Sequence, residues 1–368
     1  MADTTEQAPP ESIEAGVAGQ SEDEFEPQEW ESSSSGSASV TSSILQHAYA
    51  NGRRYHYYRD GKYPIPNDDV EQNREDMKHA MVMELTDGKL FHAPIGETPE
   101  KILDLGTGVG ESEVTRLILR KANMCLQTYR YLGDRRYQLT SSLLVGDLYP
   151  SAEVTGLDLS PIQSDWVPPN VHFIVDDVED EWLSGDNFDF IHMRNLASLV
   201  HDLPKLIERV YANLKPGAWV ETQDFSANVA CNDGTMPDDW YLLQFWEKIR
   251  QAMSKLNIDI QVGPRIGKIM EEAGFVNVQK KSYKVPVGTW PKDKTLRLVG
   301  MYMRTVTEDF LGAAASKPLA ALGMERTEIE VFLALVRKAI RDPEVHAYGT
   351  YYSWTGQKPR KTEGEQDA

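Results

Sequence analysis

Cysteine is almost absent: Cys125 and Cys231 are the two in 368 residues, far apart and outside any C-x-x-C. This argues against a disulfide framework or a cysteine-based zinc site, predicts no bound metal, and fits a reducing compartment. Long apolar runs are also missing, and none approaches the ~18 residues of a transmembrane helix. No basic stretch followed by an apolar one opens the chain, so no secretory signal is expected. Positive charge is scarce, with a net charge of −19 and a pI near 4.9, which disfavours a general nucleic-acid footprint. Residues 1–42 contain no Lys or Arg and are rich in Asp, Glu and Ser. Such a segment cannot bury enough apolar surface to offset its ordering entropy. It reads as a disordered tail, either a solvated leader or a phosphorylated or partner-binding segment. The expected location is the cytoplasm, the nucleus or both.

One further absence is informative. Residues 100–111 read E-K-I-L-D-L-G-T-G-V-G-E, and a dinucleotide fingerprint G-x-G-x-x-G would need glycine where Glu111 stands. What is present is a short apolar strand, Asp104 near its carboxyl end, and Gly106, Gly108 and Gly110 at spacing two. Glycines let the backbone turn sharply and a ligand approach it, and a carboxylate beside such a turn accepts hydrogen bonds from a polar or cationic ligand. The combination points to a nucleoside-containing cofactor other than NAD, with S-adenosylmethionine favoured over a purely structural turn.

Upstream, residues 43–66 gather Tyr49, Arg53, Arg54, Tyr55, His56, Tyr57, Tyr58, Arg59 and Tyr63, closed by Pro64 and Pro66. The segment reads either as a lid over a cofactor or as a helix packed on the domain. Asn67 is a good cap, and Val70, Met77, Met81 and Leu85 give a helical stripe running to about Thr86. After the glycine turn, Val114, Leu117 and Ile118 predict a helix from Ser112 with its N-terminus facing the ligand. From residue 149 onward strands and helices alternate, with strands expected at 152–157, 171–175, 188–193 and 218–222 and a helix at 204–214. This implies a parallel sheet with right-handed crossovers. Helices at 237–256, 263–273, 295–311 and 325–341 and strands at 276–285 and 345–354 complete the reading.

In an open α/β sheet, ligands sit outside the carboxyl ends of the strands. Asp104, Asp158, Asp177 and Arg194 each follow a successive predicted strand. A carboxylate at Asp158 can accept both ribose hydroxyls. Asp177 and the backbone N–H of Val178 can read an adenine edge.

The phrases D-L-G-T-G-V-G, G-L-D-L-S-P-I-Q, D-D-V-E-D-E-W, F-D-F-I-H-M-R, L-K-P-G-A-W-V-E and E-E-A-G-F-V-N-V resemble class I S-adenosylmethionine-dependent methyltransferases. The chain is more closely similar to the fungal methyltransferases related to LaeA, the regulator of secondary metabolism, from N-G-R-R-Y-H-Y-Y-R-D-G-K-Y-P-I-P-N-D to about residue 356. The resemblance implies an α/β, Rossmann-like, seven-stranded and mostly parallel sheet with its last strand antiparallel, helices on both faces and an N-terminal helical lid. It places Asp104, Gly106, Thr107, Gly108 and Gly110 at the methionine part of the cofactor. Asp158 and Leu159 would meet the ribose, Asp177 and Val178 the adenine, and Arg194 would hold the site together. Arg54, Tyr55, Tyr58 and Tyr63 would form the lid. The domains implied are a tail at 1–42, one methyltransferase domain at 43–356 with the lid at 43–98, and a tail at 357–368.

The sequence departs from this family at 111–146, where about 30 residues are inserted between the glycine turn and D-L-Y-P-S-A-E-V. Residues 111–142 hold six basic and three acidic residues inside an acidic chain. The insertion reads either as a translated retained intron or as a real loop, for example one over the substrate. An oxygen or nitrogen acceptor needs a base, and His192 and His201, flanking the fourth strand's end, are the nearest candidates. The paired-glutamate loop of arginine methyltransferases and the N/D-P-P-Y/F motif of DNA amino-methyltransferases are both missing. The functional expectation is methyl transfer to an unidentified acceptor linked to fungal secondary metabolism; the alternative is a LaeA-like regulator acting through protein partners with little or no catalysis.

Overall fold

The computed structural model describes residues 13–16, 47–50, 52–56, 59, 62–108, 141–162, 167–182 and 185–360. Gly110, Tyr58, the helix expected from Ser112, most of the insertion and most of both tails lie outside the described residues. A two-stranded hairpin comes first, β1 (His47–Ala50) and β2 (Arg53–His56). It is followed by α1 (Asp69–Leu85), β3 (Lys101–Leu105), α2 (Ser141–Leu148), β4 (Glu153–Asp158), β5 (Val171–Val175) and β6 (Phe188–Arg194). The chain continues through α3 (Leu203–Asn213), β7 (Leu214–Cys231), α4 (Tyr241–Ser254), α5 (Ile266–Glu272), β8 (Val276–Pro286), α6 (Lys294–Ser316), α7 (Arg326–Ile340) and β9 (Ala347–Gln357).

Seven strands form one sheet in the order β5-β4-β3-β6-β7-β9-β8. The pairs from β5 to β7 are parallel, and β9, the last in sequence, runs antiparallel to both β7 and β8. Ile102, Leu103 and Leu105 on central β3 are at most 1% exposed, as expected of a parallel strand covered on both faces. One core layer joins Leu103, Leu157, Ile191 and Val220 to Ile207 and Val210 of α3 and Ile266 of α5. The opposite layer joins Ile102, Val154 and Phe190 to Ala80 of α1 and Leu144 of α2. A further cluster ties Phe245 and Ile249 of α4 to Leu311 of α6 and Phe332 and Val336 of α7.

Several expectations shift. The segment expected as a helical lid is not wholly helical: residues 47–50 pair with 53–56, and among the described residues of 43–98 only α1 is a helix. Tyr49 and Tyr55 are compatible with a pleated strand, and Gly52, at φ +77°, turns the chain between the two strands. On α1, Met81 is fully buried and packs with Leu85 as the stripe implied, but Val70 is 55% exposed, and Glu71, Arg74, Asp76 and His79 are buried as well. The last residues of the expected insertion belong to α2, whose Leu143, Leu144 and Val145 are buried against β4 and β5. Asn170 closes that helix by donating to the carbonyls of Gly146, Tyr149 and Ala152 at 3.0–3.1 Å. Within the acidic tail, Gly16 N–H donates to Trp290 O at 2.7 Å, and Lys292 N–H donates to Glu14 O at 2.8 Å. At the other end, Lys358 N–H donates to Ala218 O at 2.9 Å, past the boundary expected at 356.

Strand β7 is far longer than the 218–222 expected. Arg194, the last residue of β6, pairs with Gln223, so β7 runs on beyond its neighbour's end while still paired to β9. The overhang carries Asp224 to Val229 past the carboxyl edge of the parallel strands.

Candidate functional site

Strand β3 ends in the glycine turn. Gly106 and Gly108 have φ of +68° and +61°, left-handed values that glycine adopts without strain. Gly106 N–H donates to Leu157 O at 2.8 Å, folding the turn back over β4. Gly156, in register with Asp104, leaves room for it: a Cβ there would lie 2.8 Å from Thr107 Cγ2 and 2.6 Å from the Phe173 ring. At the end of β4, Asp158 Oδ2 accepts the Gly108 N–H at 2.8 Å and Oδ1 accepts the Ser160 N–H at 2.9 Å. Burial pushes its carboxyl above the usual range, against those two hydrogen bonds.

A cavity of about 300 Å³ opens over this edge. Its floor includes Gly106, Gly108, Asp158, Leu159, Val178 and Arg194. Its far wall is apolar, with Trp246 and Met253 from α4, Ile260, and Met303 and Phe310 from α6. Trp246 stacks on Phe310, with ring centroids 5.8 Å apart. The inward face of α1 adds Glu71, Arg74, Glu75 and Lys78, and Tyr63 and Ile65 close the side nearest the lid. These groups suit a nucleoside: Asp158 can still accept from hydroxyls, and the glycine turn admits a ligand against its backbone.

These features agree with the comparisons. A methyltransferase domain family matches residues 75–280. Methyltransferase pytC of Aspergillus terreus is 35% identical over 323 residues, covering 87% of this chain and 91% of that protein. Secondary metabolism regulator LAE1 of Cochliobolus heterostrophus is 29% identical over 319 residues, 84% of this chain and 94% of that protein. Protein-methionine methyltransferase laeA of Emericella nidulans is 28% identical over 316 residues, 84% of this chain and 76% of that protein. The chain belongs to the S-adenosylmethionine-dependent methyltransferases, in the LaeA-related fungal group.

Within this methyltransferase, the expected site residues are only partly brought together. Gly106, Gly108, Asp158, Leu159, Val178, Arg194 and Tyr63 line the cavity. Asp104 does not; it is 3% exposed beneath the turn, with Oδ1 2.8 Å from His192 Nδ1. Thr107 is buried, packed by its methyl over β4. Asp177 is 2% exposed: Oδ1 accepts the Glu179 N–H at 2.9 Å, and Oδ2 lies 3.0 Å from Lys62 Nζ. The lid thus clips onto the carboxylate expected to read adenine, and it is the neighbouring Val178 that borders the cavity. Arg194 Nη2 lies 2.6 Å from His79 Nδ1. Burial, and then the Arg194 charge, drive His79 well below its ordinary value and keep it an acceptor. In the hairpin, Arg54 binds Asn67 O at 2.7 Å, and Tyr55 is 1% exposed under Lys317. Neither lines the cavity; Arg54 braces the start of α1.

Both histidines offered as proton acceptors lie elsewhere. His192 is buried on Asp104, and His201 holds Glu179 through Nδ1 at 2.8 Å. Besides Asp158, Arg194 and Tyr63, the titratable groups lining the cavity are those of α1 and Asp224. Asp224 is 2% exposed, with Oδ2 accepting the Ser198 N–H at 3.0 Å and Oδ1 its hydroxyl at 2.8 Å. Burial pushes it up to about 6, against those hydrogen bonds and the Lys78 charge. The signal that located Asp104, Asp158 and Asp177, a carboxylate at a strand's carboxyl end, extends to Asp224 once β7 is known to be long. The α1 charges carried no such signal.

Proposed function

We propose that this methyltransferase acts on a small, mostly apolar molecule of fungal secondary metabolism, in the cytoplasm or nucleus, with no nucleic-acid partner. The supporting observation is a single cavity running from the glycine turn and Asp158 to the Trp246 and Phe310 wall. Its volume, about 300 Å³, falls at the lower end of small-molecule sites. Among the described residues no helix is long and apolar enough to cross a membrane, and no His/Cys/Asp/Glu group could hold a metal.

In this reading Asp158 accepts the ribose hydroxyls, the Val178 N–H and Leu159 flank the adenine, and Gly106 and Gly108 admit the methionine part. When bound, the cofactor supplies a methyl group already activated on a sulfonium. The chain's part is to align the acceptor in line with that group and to exclude water. Tyr63, Ile65, Trp246 and Phe310 do the excluding. The α1 ion pairs Arg74–Glu71 and Arg74–Glu75 fix one wall.

Calorimetry of the full chain with S-adenosylmethionine, S-adenosylhomocysteine and NAD tests the cofactor assignment: the first two bind and NAD does not. Methylated products formed from metabolite extracts of a deletion strain test the acceptor class. A second reading, regulation through a protein partner, is favoured by the likeness to LAE1. It predicts that removing residues 1–42 abolishes the regulatory phenotype while methyl transfer to small molecules is undetectable.

A further inference from the structure

The cavity is lined by four carboxylates, Glu71, Glu75, Asp158 and Asp224, and by three cations, Arg74, Lys78 and Arg194. Arg74 pairs with both Glu71 and Glu75, and Lys78 lies 3.3 Å from Glu75. Asp158 is engaged by two backbone N–H groups, and Arg194 by His79. Asp224 has no cation within salt-bridge distance among the described residues. Ser198 donates one hydrogen bond to each oxygen and the Phe225 backbone N–H a third, which leaves the carboxylate a lone pair to spare.

With all seven groups ionised, the lining holds one negative charge in excess. S-adenosylmethionine carries a sulfonium, an ammonium and a carboxylate, one positive charge net, and so balances it. S-adenosylhomocysteine has lost the sulfonium and is neutral overall. Turnover inside the cavity would therefore leave one buried negative charge without compensation, which is costly beside its apolar wall. A proton retained on the wall removes that cost.

We propose that Asp224 is the general base of methyl transfer, taking the acceptor's proton and holding it until the products leave. This rests on the reading of the cavity as the cofactor and acceptor site. A lone pair of the acceptor heteroatom forms the bond to the methyl carbon. The sulfur–methyl bond breaks with its pair kept on sulfur. The heteroatom–hydrogen bond leaves its pair on the heteroatom, and the proton forms an O–H bond with an Asp224 oxygen. The cavity thereby keeps the same net charge before and after the step.

The groups facing Asp224 are Ser198 after β6, Lys78 of α1 and Tyr351 of β9. Burial lowers Lys78 and raises Tyr351. Asp158, also raised, meets the ribose of either cofactor form and cancels when the two are compared.

The test needs no acceptor. Calorimetry of the full chain with S-adenosylmethionine and S-adenosylhomocysteine, from pH 5.5 to 8 in buffers of different ionisation enthalpy, reads proton uptake. S-adenosylhomocysteine should take up close to one more proton than S-adenosylmethionine. Its relative affinity should fall by up to about tenfold per pH unit between the Asp224 midpoints of the two complexes. Asp224→Asn should abolish the difference. Ser198→Ala, which removes a hydrogen bond favouring the ionised form, should move the window to higher pH. Equal proton uptake for the two ligands, a difference that survives Asp224→Asn, or an unmoved window in Ser198→Ala overturns the assignment while leaving the cofactor site intact. If neither ligand binds the wild-type chain, the cofactor reading fails and this inference with it.

Discussion

Glu221 offers a sharp test of how the wall carrying Asp224 is held. Its side chain is fully buried in β7. Oε2 accepts the backbone N–H groups of His92 and Ala93 at 2.6 and 2.7 Å. Oε1 accepts Gln223 Nε2 at 2.7 Å and the Ser353 hydroxyl at 2.8 Å. One carboxylate thus ties the segment before β3 to β7 and β9. Glu221→Ala strands the two N–H groups and the Gln223 amide, while Ser353 can turn elsewhere. At about 1–3 kcal/mol for each buried donor left unmet, partly recovered by entering water, the loss should be about 3–5 kcal/mol. Glu221→Gln is subtler. Its NH₂ must face either the two N–H groups or Gln223, and Gln223 cannot reverse, because it also donates to Leu90 O and accepts from Tyr351. One donor–donor clash remains, so about 1–3 kcal/mol should be lost. Urea unfolding of both variants at constant m-value reads this directly. A Glu221→Gln midpoint equal to wild type would refute the reasoning, because it would mean these donors find other partners.

Other expectations follow from single sites. Gly108→Arg places a long side chain at φ +61° beside Asp158 and should weaken S-adenosylmethionine binding more than tenfold by calorimetry. Gly146→Leu should cost about 2–4 kcal/mol in urea, because a Cβ there would lie 2.4 Å from Val171 Cγ2 in a packed layer. Asp224 binds its proton more tightly folded than unfolded, so its contribution to stability is full below the unfolded value of 3.8 and is lost as pH rises toward about 6. Relative to Asp224→Asn, the wild type should lose about 2 kcal/mol between pH 4 and pH 7, read from urea midpoints.

The elements legible in the sequence were those whose signal is local. Apolar runs at 102–105 and 188–193 needed only their own residues to announce buried parallel strands, and the glycines and Asp158 needed only their position at strand ends. The hairpin at 47–56 was not legible, because aromatic and basic residues without clear alternation fit a strand or a helix alike. The length of β7 depends on β9, about 120 residues later, so no window around 218–222 could reveal it. The α1 wall was missed because charges at helical spacing ordinarily mark a solvent face.

The sequence alone determined the parallel sheet and the methyltransferase class, because the strands and each of the family's phrases are written in residues within a few positions of one another. Only the tertiary structure decided which polar groups line the cavity. It sank His192 beneath the turn, clipped Asp177 to the lid, and carried Asp224 out on an overhanging strand opposite a charged helix. The reason is physical: burial and charge balance are properties of what surrounds a side chain, and for these residues the surroundings come from distant parts of the chain.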